Sequence, residues 1–128
     1  MNHILLLIGM LFFHIVDDYY LQGFLATAKQ KSWWEKNYPD EMYKYDYIMA
    51  LIEHAFSWTV MIHIPAVFYV IICGIEVPSS IIVLFIANLF IHAYTDNKKA
   101  NLLEINLIQD QVIHIGQIVL TWFVYILL

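Results

Sequence analysis

Three apolar stretches of the chain each carry a histidine and an aspartate four residues apart: His14 and Asp18, His92 and Asp96, and, in reverse order, Asp110 and His114. Residues at this spacing stack on one side of an α-helix. Each pair is therefore a polar ridge on a helix otherwise built from Ile, Leu, Phe and Val. An aspartate at the centre of a membrane-spanning helix costs about 2.5–3.5 kcal/mol on insertion scales, which makes such residues functional candidates by default. The chain must then adopt a fold that turns the ridges towards one another. His54, on a fourth apolar stretch, is read as joining them at one intramembrane site.

Composition supports the membrane setting. Hydrophobic residues make up 62% of the 128 and charged residues 13%, with a mean hydropathy of +0.67, values outside the soluble range. The chain reads as a single integral membrane domain, residues 1–128. Six lysines without an arginine, in a chain of net charge -5, form no nucleic-acid footprint. The single cysteine, Cys73, excludes an internal disulfide and a thiolate cage, so a metal must be held by imidazole and carboxylate. The start, Met-Asn-His, lacks the basic region of a signal peptide and no small-residue cleavage site follows before Asp17, so the first segment is read as retained.

The predicted fold is all-α, a four-transmembrane-helix bundle with spans at about 2–22, 47–72, 81–96 and 103–128. Gly23 ends the first span. Between spans one and two, lysines alternate with Trp33, Trp34, Tyr38, Tyr43 and Tyr45, which suits either an interfacial helix at Ala26–Tyr38 or an ordinary loop. Pro65 is expected to bend the second span near Met61 or His63. Residues 73–80 make a turn without lysine, and residues 97–101 make one that contains Lys98 and Lys99. Both lysine-bearing loops then face the cytoplasm and both termini lie outside, in the inner membrane. At about 1.5 Å per residue, His14, His54, His92 and His114 fall in one layer near the cytoplasmic side.

Imidazole and carboxylate on successive turns are the ligand types of divalent transition metals. The expected metal ligands are His14, Asp18, His54, His92, Asp96, Asp110 and His114, enough for one ion or two, zinc first among the candidates. Asp110 or Glu53 is the expected catalytic base. Asp17, Gln22, Asn88, Lys98 and Gln111 are assigned to orienting ligands or holding substrate, Lys98 at the mouth. His63 is read as a kink or surface histidine. Interhelical hydrogen bonding is the bland alternative for all of the pairs.

His14-x-x-x-Asp18-x-x-x-Gln22, His54, His92-x-x-x-Asp96 with Lys98, and Asp110-Gln111-x-x-His114 together resemble the small bacterial and phage membrane proteins grouped as domain of unknown function 3307. The resemblance covers nearly the whole chain and implies a compact helical membrane protein, often phage-encoded, with no established activity. Asp17 and the long aromatic loop depart from the family pattern.

The reaction expected of such a site is metal-dependent hydrolysis of a lipid or lipid-linked substrate at the cytoplasmic leaflet, the metal polarising an oxygen and activating water. A di-iron oxygen-activating bundle fits less well, because aspartate replaces glutamate and no Glu-x-x-His pair is present. Ion or proton transport is the alternative from a different class; a third is a non-catalytic phage or prophage accessory role, in contact with another membrane protein. The membrane lipids are the expected partners, with a homo-oligomer also open.

Overall fold

In the computed structural model, residues 3–128 are described, and they contain helices and connecting turns without a β-strand among them. Helix α1 (His3–Val16) continues into a π-helical turn at Asp17–Leu21, and Gly23 follows with a positive φ of 47°. Two short helices, α2 (Leu25–Ala28) and α3 (Lys31–Asn37), lead to the long α4 (Asp46–Cys73). Helix α5 (Ser80–Asn97) also runs into a π turn, Lys98–Leu102, and α6 (Leu107–Ile126) closes the bundle. The four long apolar segments are His3–Leu21, Glu41–Cys73, Ser80–Leu102 and Leu107–Ile126, each long and apolar enough to cross a membrane.

Two boundaries differ from the sequence reading. The turn expected at residues 97–101 is instead helical to Leu102; the chain reverses only where Leu103 takes a left-handed conformation, φ 56°. Helix α6 begins four residues later than expected because Asn106 and Gln109 form a reciprocal capping box, which satisfies two of the amide donors a helix start leaves without partners. The stretch read as either an interfacial helix or a loop, Ala26–Tyr38, holds two short helices, α2 and α3.

Helices α1 and α5 each pack against both α4 and α6, so the four long helices form a ring around one axis. On that axis lie Leu6, Met10, Trp58, Ile62, Ala66, Tyr69, Ile118 and Tyr125. Pro65 sits inside an unbroken α4, and α1 meets it with Gly9, where a Cβ would stand 3.2 Å from the Pro65 Cβ. A side chain at residue 9 would make a tight contact that obliges Pro65 or the helix to give way slightly. The outward faces carry the large hydrophobic residues, among them Ile8 and Phe12 of α1, Ile82 and Phe90 of α5, and Leu120 of α6. The inside is where the polar residues collect: His14, Asp17, Asp18, His54, His92, Asp96, Asp110, His114 and Gln117 are all buried.

Candidate metal centre

The ridges of α1, α5 and α6 and His54 of α4 meet at one buried cluster. The Asp96 carboxylate is at its centre: Oδ2 lies 3.2 Å from His54 Nε2, and Oδ1 lies 3.2 Å from His114 Nε2 and 3.8 Å from His92 Nε2. His92 Nε2 is also 3.2 Å from His54 Nε2. Asp18 Oδ1 approaches His54 Nε2 at 3.5 Å, and Asp110 Oδ1 approaches His114 Nε2 at 3.3 Å. Two overlapping groups of candidate ligands result, Asp18 with His54 and His92, and His92 with Asp96 and His114. Donor atoms held about 2.1 Å from one ion stand about 3.0–3.4 Å from each other in tetrahedral or octahedral geometry. The spacings in the cluster fall in or just above that range.

Hydrogen bonds fix which nitrogen of two rings carries a proton. Gln117 donates its amide N–H groups to the Asn88 carbonyl, 3.0 Å, and to Asn88 Oδ1, 3.3 Å, so its own oxygen faces His114 Nδ1 at 3.3 Å. His114 Nδ1 therefore donates. In the neutral ring Nε2 is then a lone pair, and it points at two carboxylate oxygens. A cation has to stand between them, either a metal ion or a second proton on the ring. Asn88 is anchored in turn by donating to Thr121 Oγ1 at 2.7 Å. A histidine held through its far nitrogen by an amide is the arrangement that orients metal ligands elsewhere.

His14 is different. The Trp58 indole donates to its Nδ1 at 2.7 Å, which leaves Nε2 to donate to Gln111 Oε1 at 3.1 Å. Both nitrogens are used, and His14 stands 3.6 Å from Asp18 as a neighbour of the cluster rather than as one of its converging donors. Gln111 extends its amide to Asp18 Oδ2, 3.3 Å, and Asp110 Oδ2, 3.1 Å, tying α1 to α6. Trp58 also stacks on the His92 ring at 4.2 Å, and His92 on His114 at 4.0 Å. Trp58, His92 and His114 form a stacked column. His54 Nδ1 and His92 Nδ1 are buried with no hydrogen-bond partner among the described residues.

Three expectations need correction. Glu53 is exposed and takes no part in the cluster, since one residue of offset from His54 turns it by about 100° around α4. Lys98 points outward, to Glu104 at 3.0 Å and over the Tyr94 ring at 5.2 Å. His63 is buried rather than superficial; its Nδ1 bonds the Thr59 carbonyl at 2.8 Å, and it packs against Phe85 and Tyr125, away from the cluster. Asp17 is buried beside Asp18 and accepts from the Ser57 hydroxyl at 2.6 Å. Gln22 lines the entrance, its buried Oε1 without a hydrogen bond among the described residues.

Missing from the sequence reading are Ser57, Trp58 and Gln117, which hold Asp17, His14 and His114, and the two lysines that reach the site. Lys29, just after α2, lies 2.5 Å from Asp96 Oδ2, and Lys99 lies 2.7 Å from Asp110 Oδ2. They stand where a cavity of about 120 Å³, lined by Asp18, Asp96, Asp110 and Gln111, joins an outer cavity of about 390 Å³. Gln22, Lys29, Asp96 and Lys99 are common to the walls of both. Four carboxylates (Asp17, Asp18, Asp96, Asp110) and two ammonium groups leave a formal charge of −2 with the histidines neutral, the charge one divalent cation cancels.

No family model, curated protein or solved structure matches this chain. The chemistry of the cluster has to be argued from its own atoms.

Proposed function

We propose that the protein is a membrane-embedded metalloenzyme that hydrolyses a lipid or lipid-linked substrate from the cytoplasmic leaflet. The observation that carries this reading is the His114 ring, whose Nδ1 proton is fixed by Gln117 and whose Nε2 faces Asp96 and Asp110 at 3.2 and 3.3 Å. His54, His92, Asp96, His114 and one of Asp18 or Asp110 are the ligands, with zinc as the first candidate because imidazole and carboxylate at this spacing suit it. A divalent ion there neutralises charge on a substrate oxygen and acidifies water.

The protein's own groups do the rest. Asp110, held by Lys99 and Gln111, is placed to take a proton from water as general base. Trp58 and the stacked imidazoles exclude bulk water from the inner side of the cluster. Lys29 and Lys99 stand at the neck, paired with Asp96 and Asp110, and the apolar outer faces of α1, α5 and α6 suit an acyl or prenyl chain in the bilayer. The surfaces that carry Ile, Leu, Val and Phe outward support hydrocarbon as the surroundings of the bundle. The lysine-bearing loops support the cytoplasmic face as the side of the entrance. Ion or proton transport is less favoured, because the half of the bundle beyond the cluster holds Leu6, Ile62, Ala66 and Ile118 on its axis, and the hydrogen-bonded side chains that leave the cluster, Gln117 and Asn88, lead as far as Thr121 among the described residues.

Purified protein reconstituted with zinc and incubated with labelled inner-membrane lipids should release a cleaved headgroup. Asp110→Asn should abolish the release while metal content stays. Absence of turnover with every lipid, together with ion flux across the same vesicles that His114→Ala removes, would turn the assignment to transport.

A further inference from the structure

Two half-buried lysines are each tied to a carboxylate that is also a candidate metal ligand. Lys29 holds Asp96 Oδ2 and Lys99 holds Asp110 Oδ2, so the ammonium groups occupy the side of the cluster from which a cation would enter. Both lysines also line the outer cavity. An ion bound by Asp96 and Asp110 neutralises the charge that holds the lysines and repels them. Their stems, on the short α2–α3 segment and on the π turn after α5, then face the outer cavity with two positive charges and the ion behind them. Asp110 Oδ1, in a residue almost wholly buried, has no hydrogen bond among the described residues and faces His114 Nε2 at 3.3 Å.

We propose that Lys29 and Lys99 form a binding site for a phosphate-type anion that becomes available when two divalent cations occupy the cluster, so that cations and anion bind cooperatively. The inference rests on the metal reading above and adds to it the chemistry of the substrate's reacting end. Charge supports the coupling. One divalent ion cancels the formal −2 of the cluster, and a second ion leaves an excess of two positive charges that a phosphate dianion balances. A compact tetrahedral anion also suits the neck, where two ammonium donors, each released from one oxygen, converge with the Gln22 and Gln111 amides. An uncharged lipid carbonyl would leave both lysines unmatched.

The test is Mn²⁺ affinity of the full-length protein, measured by paramagnetic resonance of the free ion. It is measured in detergent with and without inorganic phosphate, and in phosphate-free vesicles of phosphatidylcholine with and without phosphatidate. Phosphate or phosphatidate should tighten Mn²⁺ binding at least tenfold in the wild type. A response to phosphatidate alone identifies a lipid headgroup as the source of the anion, and a response to inorganic phosphate alone identifies a free phosphate. The Lys29→Gln/Lys99→Gln protein should bind Mn²⁺ no more weakly than the wild type and lose the tightening, which Lys29→Arg/Lys99→Arg should keep. If the double glutamine variant does not fold, Lys99→Gln alone should reduce the tightening. Mn²⁺ binding that neither anion changes, or tightening that survives removal of both charges, would overturn the anion site and leave the metal centre standing. Absence of Mn²⁺ binding under every condition would overturn both.

Discussion

The claim that His114 is a metal ligand held in one tautomer is open to a direct perturbation. Gln117→Leu replaces a buried amide with an apolar group of similar size. It removes the acceptor of the His114 Nδ1 proton and the donor to the Asn88 carbonyl and Oδ1. Leaving buried polar groups without partners costs about 1–3 kcal/mol each, but that loss is present with and without metal. What differs is the ligand's orientation. Groups that orient ligands are worth about 10–100-fold in metal affinity, equal to about 1.4–2.7 kcal/mol at 1.36 kcal/mol per tenfold. Stabilisation by a bound ion follows its affinity logarithmically when the ion is in excess. The metal-dependent part of the unfolding free energy should therefore fall by the same 1.4–2.7 kcal/mol. Competition against a chromophoric chelator gives the affinity, and thermal unfolding with and without zinc gives the increment. If Gln117→Leu lowers stability equally in both conditions and leaves affinity unchanged, His114 shares protons with Asp96 and Asp110 and holds no metal.

The remaining expectations concern the other parts of the cluster and the frame around it. His54→Ala and Asp96→Ala should each remove most of the bound metal and His63→Ala should not, as read by elemental analysis of folded protein. Trp58→Phe should lower unfolding stability by about 1–3 kcal/mol, because His14 Nδ1 loses a 2.7 Å donor in a site water does not reach; equal stability of the two proteins would remove Trp58 from the network. Gly9→Leu should destabilise by about 1–3 kcal/mol through the crowded approach to Pro65, and an unchanged melting curve would mean that α1 and α4 separate there freely. Cys73, exposed at the end of α4, should react with an impermeant thiol reagent added outside cells, while Lys36→Cys and Lys98→Cys should not. The reverse pattern would put the entrance on the other side.

The four long helices and the inward ridges were legible because two signals agree: apolar runs long enough to span, and His–Asp pairs at the one spacing that keeps both on a helix face. Helical spacing also contained more than the pairs. Asp17 lies three residues after His14, and Gln111 three before His114, so each flanks a ridge together with Asp18 or Asp110. Ser57 and Trp58 stand three and four after His54 and share its side of α4, where they hold Asp17 and His14. Comparison with the ridge residue, rather than with the adjacent one, recovers all four. It also separates the two lysines after α5: Lys99 is three residues beyond Asp96, near its face, while Lys98 is two beyond and points away.

Lys29 is a different matter, since no periodicity connects it with Asp96, 67 residues later. Its position depends on the break between α2 and α3, on α2 packing against α4, and on the Asn101 side chain, which bonds the Lys29 carbonyl at 3.1 Å and the Lys31 amide at 2.7 Å. Asn101 lies in the π turn after α5, and the other π turn begins at Asp17. A π turn takes one residue more than an α turn, weakens the local ladder, and is found most often where function requires it. Both such turns occur at the same end of the bundle, the first taking in Asp18 at the end of its ridge and the second following Asp96. They let α1 and α5 keep their ridges inward while the chain after each ridge is rotated enough to bring Gln22 and Lys99 to the entrance. The ligands are thus set by helix periodicity and the entrance by departures from it, which is why the sequence made the first visible and left the second to the fold.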